Sequence, residues 1–599
     1  MRNLAEGFRG LGTILLAAAL VTAACGDDDS VADDAGDVPN ETEAGADGDA
    51  DVGPDADADA DADVEVGPDA DADGDDGGPP PVRYNETSPL GTNLNGISDW
   101  STEWPFVDAF KVSRAWISGE DGGAWDDGRA LDLDEHGWLR SLLPGQVART
   151  LMFWDDGAVA PAGRCVVLYD GTGTMEYWSG ARRDAGASSP GRDVLDFDPT
   201  AGGIGINVTA VDPSDPLRNI RVLMPGGACS DDPHRWCADD GGCAAGTCVP
   251  FEDRYPTEPF HPTFLERTRT YRVIRFMDWM ATNNSPIREW SERAEPDDAR
   301  WSLEAGVPVE TMVDLCNRLQ ADPWFTIPHQ ASDDFVRRFA TVVRDRLAPG
   351  LRAWVEYSNE VWNGIFDQAG WARDRGRAAG LGPSDYEAQL QFYSRRAVQV
   401  FALWEEVFGG TDRLVRVMAS QAANSWVSEQ VLSFEGADGP SDVLAIAPYF
   451  GGYLGGPDER ARVAAMTVEA LAAELAATAL PDAVSWMASQ ADVASTFGVE
   501  LVAYEGGQHL AGHSGVENDD TINALFDAVN RDPRMGELYG DYLDAWRSAG
   551  GRYFAHFVNC AGWSKWGRWG ALEYLTQPRA ESPKFDALQS FLETNPRWW

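Results

Sequence analysis

The sequence feature that most constrains the fold is a regular alternation of short apolar runs with amphipathic segments after residue 270. Seven of these runs are typical of buried strands, and an eighth, LGTNLNGI, precedes them at residues 90–97. The predicted strands cover residues 90–97, 271–277, 324–327, 353–357, 414–419, 443–449, 499–504 and 552–558. Eight strands that alternate with helices predict an α/β fold of the (β/α)8 TIM barrel type.

Two of the intervening segments carry clear helix signals. Residues 334–347 place Phe335, Phe339 and Val343 on one face, and Ser332 or Asp333 can cap the amino end. Residues 385–408 follow a capping box, SDYE at 384–387, and end at a Gly-Gly pair. Both segments therefore fit the helices that a barrel needs between its strands.

Between the first two predicted strands the sequence changes to short β-type runs separated by Gly, Pro and Asp turns. These runs cover residues 147–154, 164–168, 174–178, 194–197, 203–211 and 220–224. The spacing predicts a β-sandwich-like insert at residues 118–226. Such an insert either binds sugar or only packs against the barrel, and the sequence leaves both interpretations open.

Four cysteines follow the insert within twenty residues: Cys229, Cys237, Cys243 and Cys248. In an exported protein this density predicts a small disulfide-rich loop at residues 227–250, with two disulfides and three possible pairings. A zinc knuckle is the alternative, although no CxxC spacing is present.

The amino terminus has the pattern of an export signal. Arg2 and Arg9 supply a positive region before an apolar run at residues 11–20, which is too short to cross a bilayer. The following TAAC at residues 22–25 resembles a bacterial lipoprotein processing site, which implies that Cys25 carries the lipid. Residues 1–25 thus predict an extracytoplasmic protein anchored to the outer membrane or cell surface through an N-terminal lipid, with ordinary secretion as the alternative.

Residues 26–81 form a low-complexity acidic segment. Positions 26–80 hold 22 acidic residues and no lysine or arginine. Such a sequence buries too little apolar surface to fold, so we interpret it as a linker. Its DADADG run at residues 69–74 imitates the start of a calcium loop but lacks the glutamate at the twelfth position. The formal net charge of the whole chain, -51, excludes nucleic acid as an expected partner.

The remaining segments complete the predicted organisation. Residues 82–117 hold the first barrel strand and helix, and residues 251–599 hold the rest of the barrel. His509 and His513 have a metal-like spacing, but no third ligand is evident in the sequence. We therefore expect no metal and no cofactor, and we expect a monomer.

Two glutamates stand at predicted strand ends, where barrel enzymes place their chemistry. Glu360 follows the fourth strand, and Glu505 follows the seventh. Strict alternation puts Glu356, Ser358 and Glu360 on one face of the fourth strand. Cleavage of a glycosidic bond needs two such acids, one to protonate the leaving oxygen and one to attack or to activate water. A plain ion pair with an arginine is the alternative role for Glu360.

Residues 356–360, EYSNE, resemble the E-x-x-N-E signature of the fourth strand in clan A glycoside hydrolases, which include cellulase-, mannanase- and xylosidase-like barrels. The resemblance implies that Glu360 is the acid/base and Glu505 the nucleophile. It also implies that Arg275 keeps the nucleophile ionised and that Asn359 contacts the sugar 2-hydroxyl.

The resemblance extends to further binding residues. Tyr449 matches a strand-six tyrosine that hydrogen-bonds the nucleophile, and His329 matches a histidine at the rim of strand three. Trp563 or Trp566, in a Gly-rich loop that also holds Trp569, matches the tryptophan under the bound sugar. Trp362, in the polar and aromatic cluster after Glu360, is also assigned to substrate binding. One departure is Ala447, where cellulase-like members often have histidine.

Together these features predict a retaining glycoside hydrolase that cleaves a poly- or oligosaccharide by double displacement. The alternative is a catalytically silent carbohydrate-binding surface lipoprotein, which would use the same cleft without turnover. In either case the expected partner is a carbohydrate.

Overall fold

The structure of the protein is a computed structural model in which residues 84–154 and 159–599 are described. The predicted signal segment with Cys25, the predicted linker at residues 26–81 and residues 82–83 lie outside the described residues.

Eight parallel strands close into a barrel. They are Leu90–Asn93 (β1), Val273–Arg275 (β2), Asp322–Ile327 (β3), Ala353–Tyr357 (β4), Leu414–Ala419 (β5), Val443–Ile446 (β6), Glu500–Ala503 (β7) and Phe554–His556 (β8). Each strand pairs with the next along the chain, and β8 closes the ring by pairing Phe554 with Leu90 of β1. The predicted TIM barrel is therefore confirmed, with every predicted strand present.

The interior of the barrel is filled by side chains rather than open. Trp324 of β3 and Trp354 of β4 are register partners, and their rings stack with centroids 4.9 Å apart. Small and branched residues from β2, β5, β6 and β7 pack around them in a cluster separate from the main core between strands and helices. This packed interior holds the strand ends in place, and those ends carry the candidate site.

Helices surround the barrel. Those of eight or more residues are Val309–Leu319, Asp333–Arg346, Asp367–Ala378, Asp385–Phe408, Ser425–Ser433, Leu480–Phe497, Asp520–Arg531, Pro533–Ser548 and Pro583–Thr594. The shorter ones are Phe251–Arg254, Pro262–Thr268, Arg460–Val463 and Val468–Glu474. The side chains of Ser332 and Ser384 cap their helices as the sequence predicts, and Gly409 ends the longest helix with a φ of 72°.

One expected helix is absent. The prediction placed a barrel helix within residues 82–117, but residues 84–117 contain only β1, a short 3₁₀ turn at Ala109–Val112 and the start of another strand. The chain leaves the barrel directly after β1 to enter the insert. The helix that precedes β2 is Pro262–Thr268, which follows the insert.

The insert consists of two four-stranded antiparallel sheets. The first has the strand order Ile117–Glu120, Gln146–Met152, Ile204–Val211, Gly173–Ser179, and the second has Arg218–Leu223, Gly163–Asp170, Arg192–Phe197, Ala181–Arg183. Side chains of both sheets share one core, in which the rings of Phe153 and Phe197 lie 6.1 Å apart. Two short strands, Ile117–Glu120 and Ala181–Arg183, escape prediction because each has only one apolar residue.

The four clustered cysteines form two disulfides, Cys229–Cys243 and Cys237–Cys248. The bonds brace a three-stranded sheet made of Trp236–Cys237, Gly227–Cys229 and Cys248–Pro250. The four sulfur atoms are thus bonded in pairs, as the disulfide alternative predicts, and not arranged as a zinc knuckle. Within residues 84–154 and 159–599, no helix combines the length and the apolarity that crossing a bilayer requires.

Candidate active site

The carboxyl ends of the barrel strands converge on one arginine. Arg275, the last residue of β2, is fully buried. Its guanidinium donates to both carboxylate oxygens of Glu356, at distances from 3.0 to 3.2 Å, and to Glu505 Oε1 at 2.7 Å. It also donates to Asn93 Oδ1 at 3.1 Å and to Asn359 Oδ1 at 2.8 Å. A buried guanidinium needs such a set of acceptors, because an unpaired buried charge is strongly destabilising.

Glu505, two residues beyond β7, is held from two sides. Arg275 contacts Oε1, and the Tyr449 hydroxyl donates to Oε2 at 2.9 Å. Burial raises the pKa of Glu505, while the Arg275 charge and the two hydrogen bonds oppose that rise because they stabilise the ionised form. Tyr449 is therefore a direct hydrogen-bond partner of Glu505.

Glu360 has a different environment. Its Oε1 accepts a hydrogen bond from the Tyr504 hydroxyl and its Oε2 accepts one from Asn363 Nδ2, both at 2.9 Å. Neither partner is charged. Burial, and next the nearby Glu505 charge, raise the pKa of Glu360 to about 7. Of the two acids, Glu360 thus has the environment that more strongly favours the protonated form.

The prediction that Glu360 lies on the same strand face as Glu356 and Ser358 is wrong. β4 ends at Tyr357, and the backbone then turns, with φ of 61° at Ser358 and 43° at Glu360. These left-handed conformations break the alternation that put Glu356, Ser358 and Glu360 on one face. Glu356 stays inside the barrel, bonded to Arg275 and to Trp324 Nε1, while Glu360 is carried to the mouth.

Asn359 is buried beside Arg275. Its Oδ1 accepts from Arg275, and its Nδ2 donates to Asn283 Oδ1 at 3.1 Å. Both ends of the amide are therefore oriented by the protein. The predicted contact of Asn359 with a sugar 2-hydroxyl stays a prediction.

Three residues that were predicted to bind substrate have no side-chain hydrogen bond to Arg275, Glu505 or Glu360 among the described residues. His329 is buried against Trp371, with ring centroids 5.8 Å apart, and burial lowers its pKa to about 4. Trp362 is half-buried. Trp563 lies beneath the charged groups of Arg531 and Lys584, so the protein itself occupies its ring faces.

Among the three tryptophans of the Gly-rich loop after β8, Trp569 is the one that packs in the same apolar cluster as Tyr449. Its ring contacts Phe557 at 6.0 Å and His509 at 5.6 Å, and His509 in turn contacts Tyr449 at 5.4 Å. Trp566 is instead 45 % exposed. The Gly-rich loop signals exposure of a tryptophan, but nothing in its sequence distinguishes Trp569 from its neighbours.

Two further polar groups at the mouth have no role in the site predicted from the sequence. Tyr504, next to Glu505 in sequence, donates its hydroxyl to Glu360. Asp278, three residues after Arg275, is a carboxylate whose pKa rises to about 7 through burial and then through the charge of Glu505. The signal for both was adjacency to a predicted site residue at a strand end.

No family model matches the sequence, and no curated protein matches it. Solved structures that resemble it include a 4-O-α-L-rhamnosyl-β-D-glucuronidase from Fusarium oxysporum 12S, with 12 % identity, a TM-score of 0.32, and 53 % of this chain and 61 % of that chain covered. The match thus spans less than two thirds of that protein.

Two further structures belong to the same group of matches. Xylanase 10B from Thermotoga maritima is 11 % identical, with a TM-score of 0.30 and coverage of 55 % of this chain and 89 % of that one. A Bacteroidetes-affiliated GH5 cellulase is 11 % identical, with a TM-score of 0.34 and coverage of 56 % and 91 %. The basis for assigning a function is therefore the chemistry of the site itself.

Proposed function

We propose that the protein is a retaining glycoside hydrolase that cleaves a poly- or oligosaccharide, with Glu505 as nucleophile and Glu360 as acid/base. The observation that carries this proposal is the unequal environment of the two acids. Glu505 has an arginine and a tyrosine hydroxyl to stabilise its charge, whereas Glu360 has only uncharged donors and a pKa raised to about 7. Double displacement requires two acids whose environments give them different pKa values.

In the first step, the Glu505 carboxylate attacks the anomeric carbon and forms a glycosyl ester. The bond to the leaving oxygen breaks as Glu360 transfers its proton to that oxygen. Arg275 and Tyr449 keep the attacking group ionised and oriented. Tyr504 and Asn363 orient the acid through its two oxygens.

In the second step, the Glu360 carboxylate takes a proton from water, and the water oxygen attacks the anomeric carbon. The ester bond breaks and Glu505 leaves as a carboxylate, so the anomeric configuration is retained. Esterification removes the charge of Glu505, which otherwise raises the pKa of Glu360. The pKa of Glu360 therefore falls when it must act as a base.

Turnover of a panel of aryl glycosides and polysaccharides tests the proposal. Glu505→Ala should abolish turnover, while Glu360→Ala should cripple natural substrates yet spare the first step on aryl glycosides with good leaving groups. Glu86→Ala, an exposed glutamate at the amino end of the barrel, is the matched control and should behave as wild type.

Nuclear magnetic resonance of the first-formed product then reports its anomeric configuration. Retained configuration supports the double displacement, and inversion contradicts it. Full activity of Glu505→Ala would make the site assignment wrong. Glycan binding by the wild-type protein without any product would favour the alternative, a catalytically silent carbohydrate-binding protein.

We also propose that the protein is exported and held at the membrane by a lipid on Cys25. The support is the pattern of residues 1–25 alone, and the acidic segment that follows would separate the barrel from the membrane surface. Metabolic labelling with a radioactive fatty acid tests this in cells. Label should enter the wild-type protein and be absent from Cys25→Ala, and equal labelling of the two would contradict the anchor.

A further inference from the structure

The outer face of the first insert sheet carries three tryptophans in contact, Trp125, Trp154 and Trp178, which we name the insert tryptophan cluster. The ring centroids of Trp125 and Trp178 are 5.4 Å apart, and those of Trp154 and Trp178 are 6.0 Å apart. Trp154 is 47 % exposed, and the other two are half-buried. The Arg149 guanidinium covers one face of Trp125, 5.4 Å from its ring centroid, so Trp154 is the ring that the cluster offers to a ligand. A contiguous aromatic patch on a surface marks a binding site more often than an isolated exposed residue does.

The sheet beneath the cluster is shaped for an indole ring. Gly205 is the register partner of Trp178 on the neighbouring strand. A Cβ atom at position 205 would lie 2.0 Å from Trp178 Cε2, so the indole occupies the space that any larger side chain would need. The glycine thus lets the Trp178 ring lie across the sheet beside Trp154.

Polar groups on this face lack partners. The Nε1 atoms of Trp125 and Trp178 and the Oδ1 atom of Asn207 are buried and have no hydrogen-bond partner among the described residues. Asn207 lies two positions from Gly205 on the same strand, and therefore on the same face. An unmet buried donor or acceptor costs folding free energy. Because these three atoms are buried, the hydroxyls of a sugar can reach them only when the half-buried rings of Trp125 and Trp178 shift.

The backbone at Trp154 is bonded to the loop that follows β1. The backbone N–H of Trp154 donates to the carbonyl oxygen of Asp99 at 2.6 Å. Trp100, which follows Asp99 in the chain, is 53 % exposed. This loop follows β1 and contacts the segment after β8, where Asn559 Nδ2 donates to Glu103 Oε1 at 2.9 Å. The segment that holds Trp154 is therefore linked through the loop after β1, which carries Trp100, to the segment after β8.

We propose that the insert tryptophan cluster and Trp100 form a secondary binding surface for a neutral polysaccharide, whose scissile bond lies in the barrel mouth. The position of the scissile bond in this proposal rests on the proposed function. Flat apolar faces of sugar rings stack on indoles, and Trp154 and Trp100 are the exposed indoles of this surface. The net charge of the chain, -51, disfavours polyuronates and other polyanions.

Affinity electrophoresis of the Glu505→Gln protein tests the surface, with hydroxyethylcellulose, xylan, galactomannan and arabinan in separate gels. Trp154→Ala in this background should weaken retention by the bound polymer about tenfold, equivalent to about 1.4 kcal/mol. Trp178→Phe is a second variant that keeps an aromatic ring, and thermal melting verifies that each variant folds. Tyr84→Ala is the control, because Tyr84 is 49 % exposed at the opposite end of the barrel.

Kinetics of the active protein separate this inference from the proposed function. Trp154→Ala should raise KM for the polymer about tenfold and leave kcat/KM for an aryl glycoside unchanged. Unchanged polymer KM and retention in Trp154→Ala and Trp178→Phe would overturn the inference while hydrolysis still supports the proposed function. Retention lost in these variants, in a protein that hydrolyses nothing, would support the surface and overturn the proposed function. No retention by any of the four polymers would overturn the inference.

Discussion

Arg275 at the barrel mouth donates to four side chains, whereas the indole N–H groups of Trp125 and Trp178 on the insert have no partner among the described residues. The first region is a buried charge network, in which each member is needed to neutralise another. The second is an aromatic surface, in which each ring adds contact area on its own. Loss of one member should therefore collapse the network but only weaken the surface.

The largest expected effect comes from Arg275→Met, which removes the cation of the network. Glu356 and Glu505 would become buried carboxylates without a positive partner, so we expect a loss of about 3–5 kcal/mol of stability. We also expect kcat on aryl glycosides to fall by about 10²–10³-fold. Urea unfolding and steady-state kinetics measure the two effects.

Arg416→Met is the matched control for this change. Arg416 lies within β5, pairs with Glu405 and Asp442, and has a side chain that is 14 % exposed. The control should keep its activity. If Arg275→Met also keeps activity and stability, the charge network is not the basis of the site.

A smaller effect is expected from Tyr449→Phe. The lost hydroxyl stabilises ionised Glu505, so the pKa of Glu505 rises in the variant. Since the nucleophile must be ionised, the acid limb of the pH–activity profile should move to higher pH in the variant. The shift should be about one pH unit or more, because a hydrogen bond to a charged group contributes about 1.5–3 kcal/mol.

The pH profile of kcat/KM measures this shift. The alkaline side reports Glu360, which must be protonated, so activity should fall as pH rises through about 7 in the wild type and in the variant. Tyr453→Phe, whose hydroxyl bonds Glu474 instead, should leave the profile unchanged. An unshifted acid side in Tyr449→Phe would argue against Glu505 as the ionised partner.

The smallest effect on turnover is expected from Gly205→Ala in the insert. The added Cβ displaces the Trp178 ring, and overpacking of this kind costs about 1–3 kcal/mol. Polymer retention should weaken a few-fold, while kcat/KM for an aryl glycoside should not change. Gly540→Ala, where an added Cβ meets nothing within 4 Å, is the control in the same gels. Loss of aryl glycoside activity in Gly205→Ala would mean that the two regions are coupled.

The eight strands could be predicted because barrel strands are buried on both faces and read as continuous apolar runs. The end of β4 could not, since the left-handed turn at Ser358 and Glu360 depends on the contacts that these residues make at the mouth. Trp569 could not be told from Trp563, because the positions of Phe557 and His509 decide which ring lies near Tyr449.

The sequence by itself determined the order and type of the barrel strands and the presence of an acid after β4 and after β7. Local hydrophobic patterns carry that information. Only the tertiary structure decided which acids pair with Arg275, because Arg275 lies 230 residues before Glu505 and 81 residues before Glu356. It also decided that three tryptophans of the insert share one face. Both are contacts between residues distant in sequence, and local patterns do not specify such contacts.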